Sequence, residues 1–261
     1  MADGGNVIFK FTGDDKGLKS TMQKLGSIGK TALTGMVAGT TAVATGFGAI
    51  VTASVKARGE FEQLEGGVKK LFGNDFQSVI DNANKAFQTA GISSNQYMEQ
   101  VTSFSASLIS SLNGDTKKAS QIADRAIQDM ADNANTFGTS MESIQNAYQG
   151  FAKGNYTMLD NLKLGFGGTK SEMQRLIKEA SRMKEEQKEL GVTVDKNSMS
   201  FANISNAISV MQKHMNITGT TSKEAMNTLQ GSVTALKASW DNFLAGTGDI
   251  GKVVENARNS F

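Results

Sequence analysis

The chain of 261 residues contains no cysteine and no proline, and its one histidine is His214. Without cysteine there is no disulfide framework, no thiolate metal site and no cysteine nucleophile. One histidine excludes any metal site or catalytic triad that needs two. Ordinary usage would supply roughly 13 prolines; their absence argues against an all-β sandwich with many turns and for helices. Charge is also scarce: charged residues are 20% and the net charge is +2. That balance gives no general attraction to nucleic acid. Glycine (28), methionine (13) and small polar residues fill the space instead. These scarcities weigh against an enzyme before any motif is read.

Residues 1–30 hold Asp3, Asp14 and Asp15 and lack the apolar core of a secretory signal. Asn6 to Thr12, NVIFKFT, reads as one short β-strand. No second strong strand is visible, so it is expected to pair with another subunit. Gly13-Asp14-Asp15 then opens a basic amphipathic helix with Leu18, Met22, Leu25 and Ile28 on one side. Residues 31–55 carry no charge at all. A helix of that length just crosses a bilayer core, although Gly, Ala and Thr dominate where Leu is expected. Gly35, Gly39, Ala42, Gly46 and Ala49 give it a small-residue face. Three readings stay open for this long Gly/Ala-rich helix: a packed helix in a homo-oligomeric bundle, a conditionally inserting membrane segment, and a constitutive anchor.

From residue 58 the chain reads as amphipathic helices separated by Gly, Asn and Ser. The stripes include Phe61-Leu64-Val68-Leu71, Val79-Ile80-Ala83-Phe87, Tyr97-Val101-Phe104-Leu108, Ile122-Ala126-Met130 and Ile144-Tyr148-Phe151. Three capping boxes are expected, at Thr139/Glu142, Thr169/Glu172 and Thr221/Glu224. One charged helix is predicted from Thr169 to about Leu190, its run Lys184–Glu189 a solvated face. Phe201, Ile204, Ile208, Met211 and Met215 have the spacing of a helix-pairing seam over two heptads. The stripe of Leu229, Val233, Leu236, Trp240 and Phe243 marks the last clear helix. The reading is therefore a mainly all-α chain in three parts: an N-terminal region 1–57, a compact helical domain 58–245, and 246–261 as the start of a linker or of a continuation.

Candidate chemistry fails site by site. Gly165–Ser171, GFGGTKS, looks like a phosphate-binding loop, but Thr169 stands before Lys170 and a helical pattern precedes it. His214 has no metal-ligand neighbour at sequence spacing, and the pairs Asp14-Asp15 and Glu185-Glu186 sit on charged, exposed segments. No catalytic, cofactor-binding or metal-ligating residue is assigned, and the methionines read as adaptable packing.

The stretch YQGFAKGNYTMLDNLKLGFGGTKSEM, from Tyr148 to Met173, resembles the signature of tail tape measure proteins of tailed phages and prophages. Phe61–Val68, Tyr97–Ala106, Ile217–Ala225 and Gly231–Trp240 agree with it in colinear order. The resemblance implies a structural virion component in the tail lumen, made in the host cytoplasm, that sets tail length and leaves ahead of DNA at ejection. It implies tube protein, tail assembly chaperones and distal tail or baseplate proteins as partners, with a homo-oligomer and host-membrane contact through 31–55 as further expectations, and no sequence-specific nucleic-acid binding. Even as one helix the chain would reach only about 390 Å, so it is expected to be the N-terminal portion of a longer protein, with an unusually short member of the family as the alternative. Two other classes remain: an α-helical membrane-inserting, pore-forming protein, and a cell-wall glycan enzyme working through a buried glutamate on an apolar stripe.

Overall fold

The computed structural model describes residues 46–227, 229–249 and 251–253. Among them there is no strand; the architecture is helical throughout. The helices are α1 (Gly46–Phe72), α2 (Phe76–Thr89), α3 (Ser94–Ser111), α4 (Thr116–Phe137) and α5 (Met141–Ala152), followed by α6 (Lys170–Ala180), α7 (Lys184–Leu190), α8 (Phe201–His214), α9 (Thr220–Asn227) and α10 (Leu229–Leu244). The expected strand at 6–12, the helix that follows it and residues 31–45 of the apolar run lie outside the described residues. Residues 46–55 of that run form the opening turns of α1. This helix continues without a break to Phe72, so it crosses the division expected at 57/58. No helix among the described residues is long and apolar enough to cross a membrane.

Local chemistry explains most boundaries. Ser93 and Gln96 form a reciprocal capping box at the start of α3, and Asp115 and Ser200 cap α4 and α8 through their side chains. Gly138 and Gly191 end α4 and α7 in the left-handed conformation, at φ 64° and 63°. Two expected caps move. At α5 the capping oxygen belongs to Ser140, one residue past Thr139. At α9 the Thr221 hydroxyl is buried without a partner, and Asp132 from α4 accepts the N–H groups of Gly219 and Thr221 instead.

The single helix predicted over 169–190 is two. Gln187, buried, donates through Nε2 to the Ala180 carbonyl at 2.9 Å and accepts the Val194 N–H at 3.0 Å. Its amide thereby satisfies the end of α6 and the strap that follows α7, where a continuous helix would leave both to water.

The largest departure concerns α8. Every residue from Phe201 to Gln212 is buried, where a one-sided seam was expected. The helix lies against α3, α4, α6 and α7 and carries Asn203, Ser205, Asn206, Ser209 and Gln212 into the interior. The core also holds Phe72, Tyr97, Met98, Leu108, Met130 and Tyr148, all closed to solvent; a large apolar side chain so placed contributes on the order of 1.5–3 kcal/mol. Beyond α10 the chain turns back: Thr247 and Gly248 donate to the Asn242 carbonyl at 2.9 and 3.0 Å, and Val253 is buried. Of the segment expected to open a linker or a continuation, 246–249 and 251–253 are among the described residues.

Candidate functional site

The stretch that carries the resemblance folds as the end of α5, a 17-residue connection (153–169) and the first turn of α6. Connections of that length without regular structure are uncommon in compact domains, and they are usually functional. This one is held at every turn. Leu159, Leu162, Leu164 and Phe166 anchor it in the core, the first two on a short 3₁₀ turn, Leu159–Leu162. Asn155 Oδ1 accepts from the Thr157 N–H at 3.0 Å and from its hydroxyl at 2.8 Å. Asn133 of α4 donates to the Leu162 carbonyl at 2.8 Å. Lys163 lies in the left-handed region (φ 52°) and its ammonium donates to the Phe137 carbonyl at 3.0 Å, where a cation suits the negative end of α4.

Arg175 of α6 braces the other limb. Its Nη2 donates to the Gly165 carbonyl at 2.8 Å and to Glu172 Oε2 at 2.7 Å. Nη1 reaches Glu179 at 3.1 Å, and the guanidinium stacks 4.2 Å over the Phe166 ring. Glu172 also accepts the Gly167 N–H at 3.2 Å. The hydrogen bond from Arg175, then that backbone N–H, hold the Glu172 carboxyl below the usual range. Gly168 is required by space, because a Cβ there would run into the Thr157 carbonyl. The result is a stiff loop whose tip presents Met158, 43% exposed. Such an arrangement suits recognition of a partner; it presents no nucleophile–base pair.

The same geometry disposes of the phosphate-loop resemblance at Gly165–Ser171. A 3₁₀ turn precedes it, the Thr169 hydroxyl caps Glu172 N–H at 3.2 Å, and the Gly167 N–H already holds the Glu172 carboxylate. An incoming anion would have to displace that internal one.

His214 and Glu186, read separately in the sequence, meet: Nδ1 and Oε1 lie 2.7 Å apart. This hydrogen bond holds the Glu186 carboxyl below its ordinary range. Beside it Lys213 pairs with Glu189 at 2.8 Å, so a hydrogen bond and an ion pair clasp α7 to the end of α8. The described residues include no cluster of side chains suited to a metal ion.

Two acids that sequence reasoning missed lie in the interior. Asp129 and Asp132 of α4 are each 2% exposed. Asp129 accepts a hydrogen bond from the Ser209 hydroxyl of α8. Burial pushes its carboxyl up to about 7, against the pull of that hydroxyl, and burial likewise raises the nearby Tyr148 phenol. The glycan-enzyme reading expects a buried glutamate, but none of the glutamates whose side chains are described is buried; the buried acids are Asp129, against α8, and Asp132, against the start of α9. A signal for Asp129 existed: it stands seven residues after Ile122 and three after Ala126, on their apolar stripe. Neither a protein-family model, nor a curated protein, nor a solved structure matches the chain.

Proposed function

We propose that this chain belongs to a tail tape measure protein: a structural component of a phage tail, laid in the lumen during assembly and released ahead of DNA at ejection. One observation carries the reading, the Tyr148–Met173 stretch with its colinear companions. The form of that stretch supports it. Thirteen of its residues, Thr157 to Thr169, run through a loop fixed by Asn133, Lys163, Glu172 and Arg175, which accounts for so specific a run of residues outside any long helix. In this reading α1–α10 form a folded module beside the extended ruler, and the exposed Met158 tip faces a tube, chaperone or baseplate protein. Mass spectrometry of purified tails before and after DNA ejection in vitro tests it. Peptides of this chain should be present in tails and depleted after ejection; their absence from assembled tails overturns the assignment.

A second reading rests on the uncharged run 31–55. In this reading the segment 31–55, with its Gly-rich face, inserts in membrane as a bundle and perforates it. Dye release from liposomes by the full chain, lost on Gly39→Leu with Gly46→Leu, supports this reading; no release at any pH counts against it.

A further inference from the structure

A groove of about 830 Å³ runs between α1 and α3, with Asp241 of α10 at its margin. From α1 it is lined by Ala57, Glu60, Leu64, Gly67 and Leu71, at successive spacings of 3, 4, 3 and 4. From α3 it is lined by Asn95, Glu99 and Thr102, at spacings of 4 and 3. Two stripes with this period, side by side, are the surface into which a third helix packs its own i, i+3, i+4 ridge. Leu64 and Leu71 rest on the core yet are only partly buried by it.

Two further observations concern what would fill the groove. Gly66 and Gly67 stand inside α1, where glycine weakens a helix relative to alanine. Nothing among the described residues requires them: a Cβ on Gly66 would meet no described atom within 4 Å, and one on Gly67 only the Thr102 methyl at 3.9 Å. Of the two only Gly67 lines the groove, where the missing side chain leaves room for close approach of another backbone. The lining is also unevenly charged, with Glu60, Glu99 and Asp241 against Lys70. The carboxamide oxygen of Asn95, its nitrogen engaged with the Ala57 carbonyl at 3.0 Å, is buried with no donor among the described residues.

We propose that the α1–α3 groove is the docking site for a basic amphipathic helix of a partner protein, its apolar face on Leu64, Gly67 and Leu71 and its cations against Glu60, Glu99 and Asp241. Gly67 is the hole that admits the central side chain, and the acidic margin selects lysine or arginine over a neutral helix. The proposal stands independently of the tape measure assignment. Burial pushes the Asp241 carboxyl up, with Lys237 acting against the shift and Glu60 in the same direction.

The test uses the full chain and a fluorescein-labelled amphipathic Leu/Lys peptide of about 18 residues, five turns of helix, with a Leu/Glu peptide of the same pattern as control. Fluorescence anisotropy is expected to show binding of the Lys peptide alone, weakening as salt rises. Glu99→Lys with Asp241→Lys should weaken it by about tenfold or more. Gly67→Leu should abolish binding with the circular-dichroism melt retained, while Gly66→Ala raises the melting temperature. If Gly67→Leu fails to fold, Thr102→Trp fills the groove from the other wall and should also abolish binding. Equal binding of both peptides, binding of neither, or binding indifferent to the groove-filling variants overturns the proposal. So does a dimer of the chain, seen by sedimentation velocity, that Gly67→Leu or Thr102→Trp converts to monomer, since the occupant is then a second copy.

Discussion

Asp132, buried on α4, accepts the backbone N–H of Thr221 at 2.8 Å and so closes the N-terminus of α9 from 89 positions away in the chain. The same carboxylate takes the Gly219 N–H at 2.6 Å. A cap borrowed from another helix ties the two elements together, and its loss leaves two backbone donors without a protein acceptor. Asp132→Ala is expected to cost about 1–3 kcal/mol in denaturant unfolding. Thr221→Val is expected to be neutral or mildly stabilising, because that hydroxyl is buried without a partner. The reverse order of effects would restore the local Thr221/Glu224 capping box.

Asp129 makes stability depend on pH in an unusual direction. Its folded carboxyl is pushed up to about 7 by burial, whereas an unfolded aspartate titrates near about 3.9. Between those values the folded protein holds a proton that the unfolded chain has released. The stabilisation is therefore complete below about pH 4 and lost as pH rises through 7, a change on the order of 4 kcal/mol. The groups acting on it besides Ser209 are Asp132, which raises it, and Arg125, which lowers it. Urea unfolding at pH 5 and pH 8 should show a more stable protein at pH 5, with most of the difference removed in Asp129→Asn. Part of the slope remains in that variant, since burial also raises Asp124. An unchanged slope would mean that Asp129 is not the group responsible.

Gly168 and Arg175 decide whether the 153–169 connection stays rigid. Gly168→Ala should open the loop, because the added methyl collides with the Thr157 carbonyl. Arg175→Lys removes the forked donation to Gly165 and Glu172 and the stacking on Phe166, so it should act in the same direction. Limited trypsin digestion reads this: cleavage after Lys163, slow in the parent chain, should accelerate several-fold in both variants. Equal digestion rates would show that the buried leucines alone fix the loop.

The helices from Phe61 to Phe151 were legible because each buries one face, and one-sided burial writes a 3.6-residue period into the chain. Failures came where burial is not one-sided or where a partner is distant. Asn203, Ser205, Asn206, Ser209 and Gln212 look like the wet side of α8, yet all are buried, and the groups that satisfy some of them, such as Asp129 and Arg125, lie about 80 positions earlier. The α6–α7 break depends on the Gln187 amide reaching two backbones, which no periodicity registers. The candidate site was visible as a run of residues, and Thr169 as its cap, but the bracing by Asn133, Lys163 and Arg175 is tertiary. The pairing of His214 with Glu186 across 28 positions escaped for the same reason.

The central claim is that this folded module is part of a tail tape measure, and the native polypeptide that carries the sequence tests it most directly. Its mass, measured in tails from the source particle by an antibody against α1–α10, is predicted to be several times 27.7 kDa, with ruler sequence joined to the module. A native product of 27.7 kDa, found outside tails, would contradict the account and favour the membrane-inserting reading.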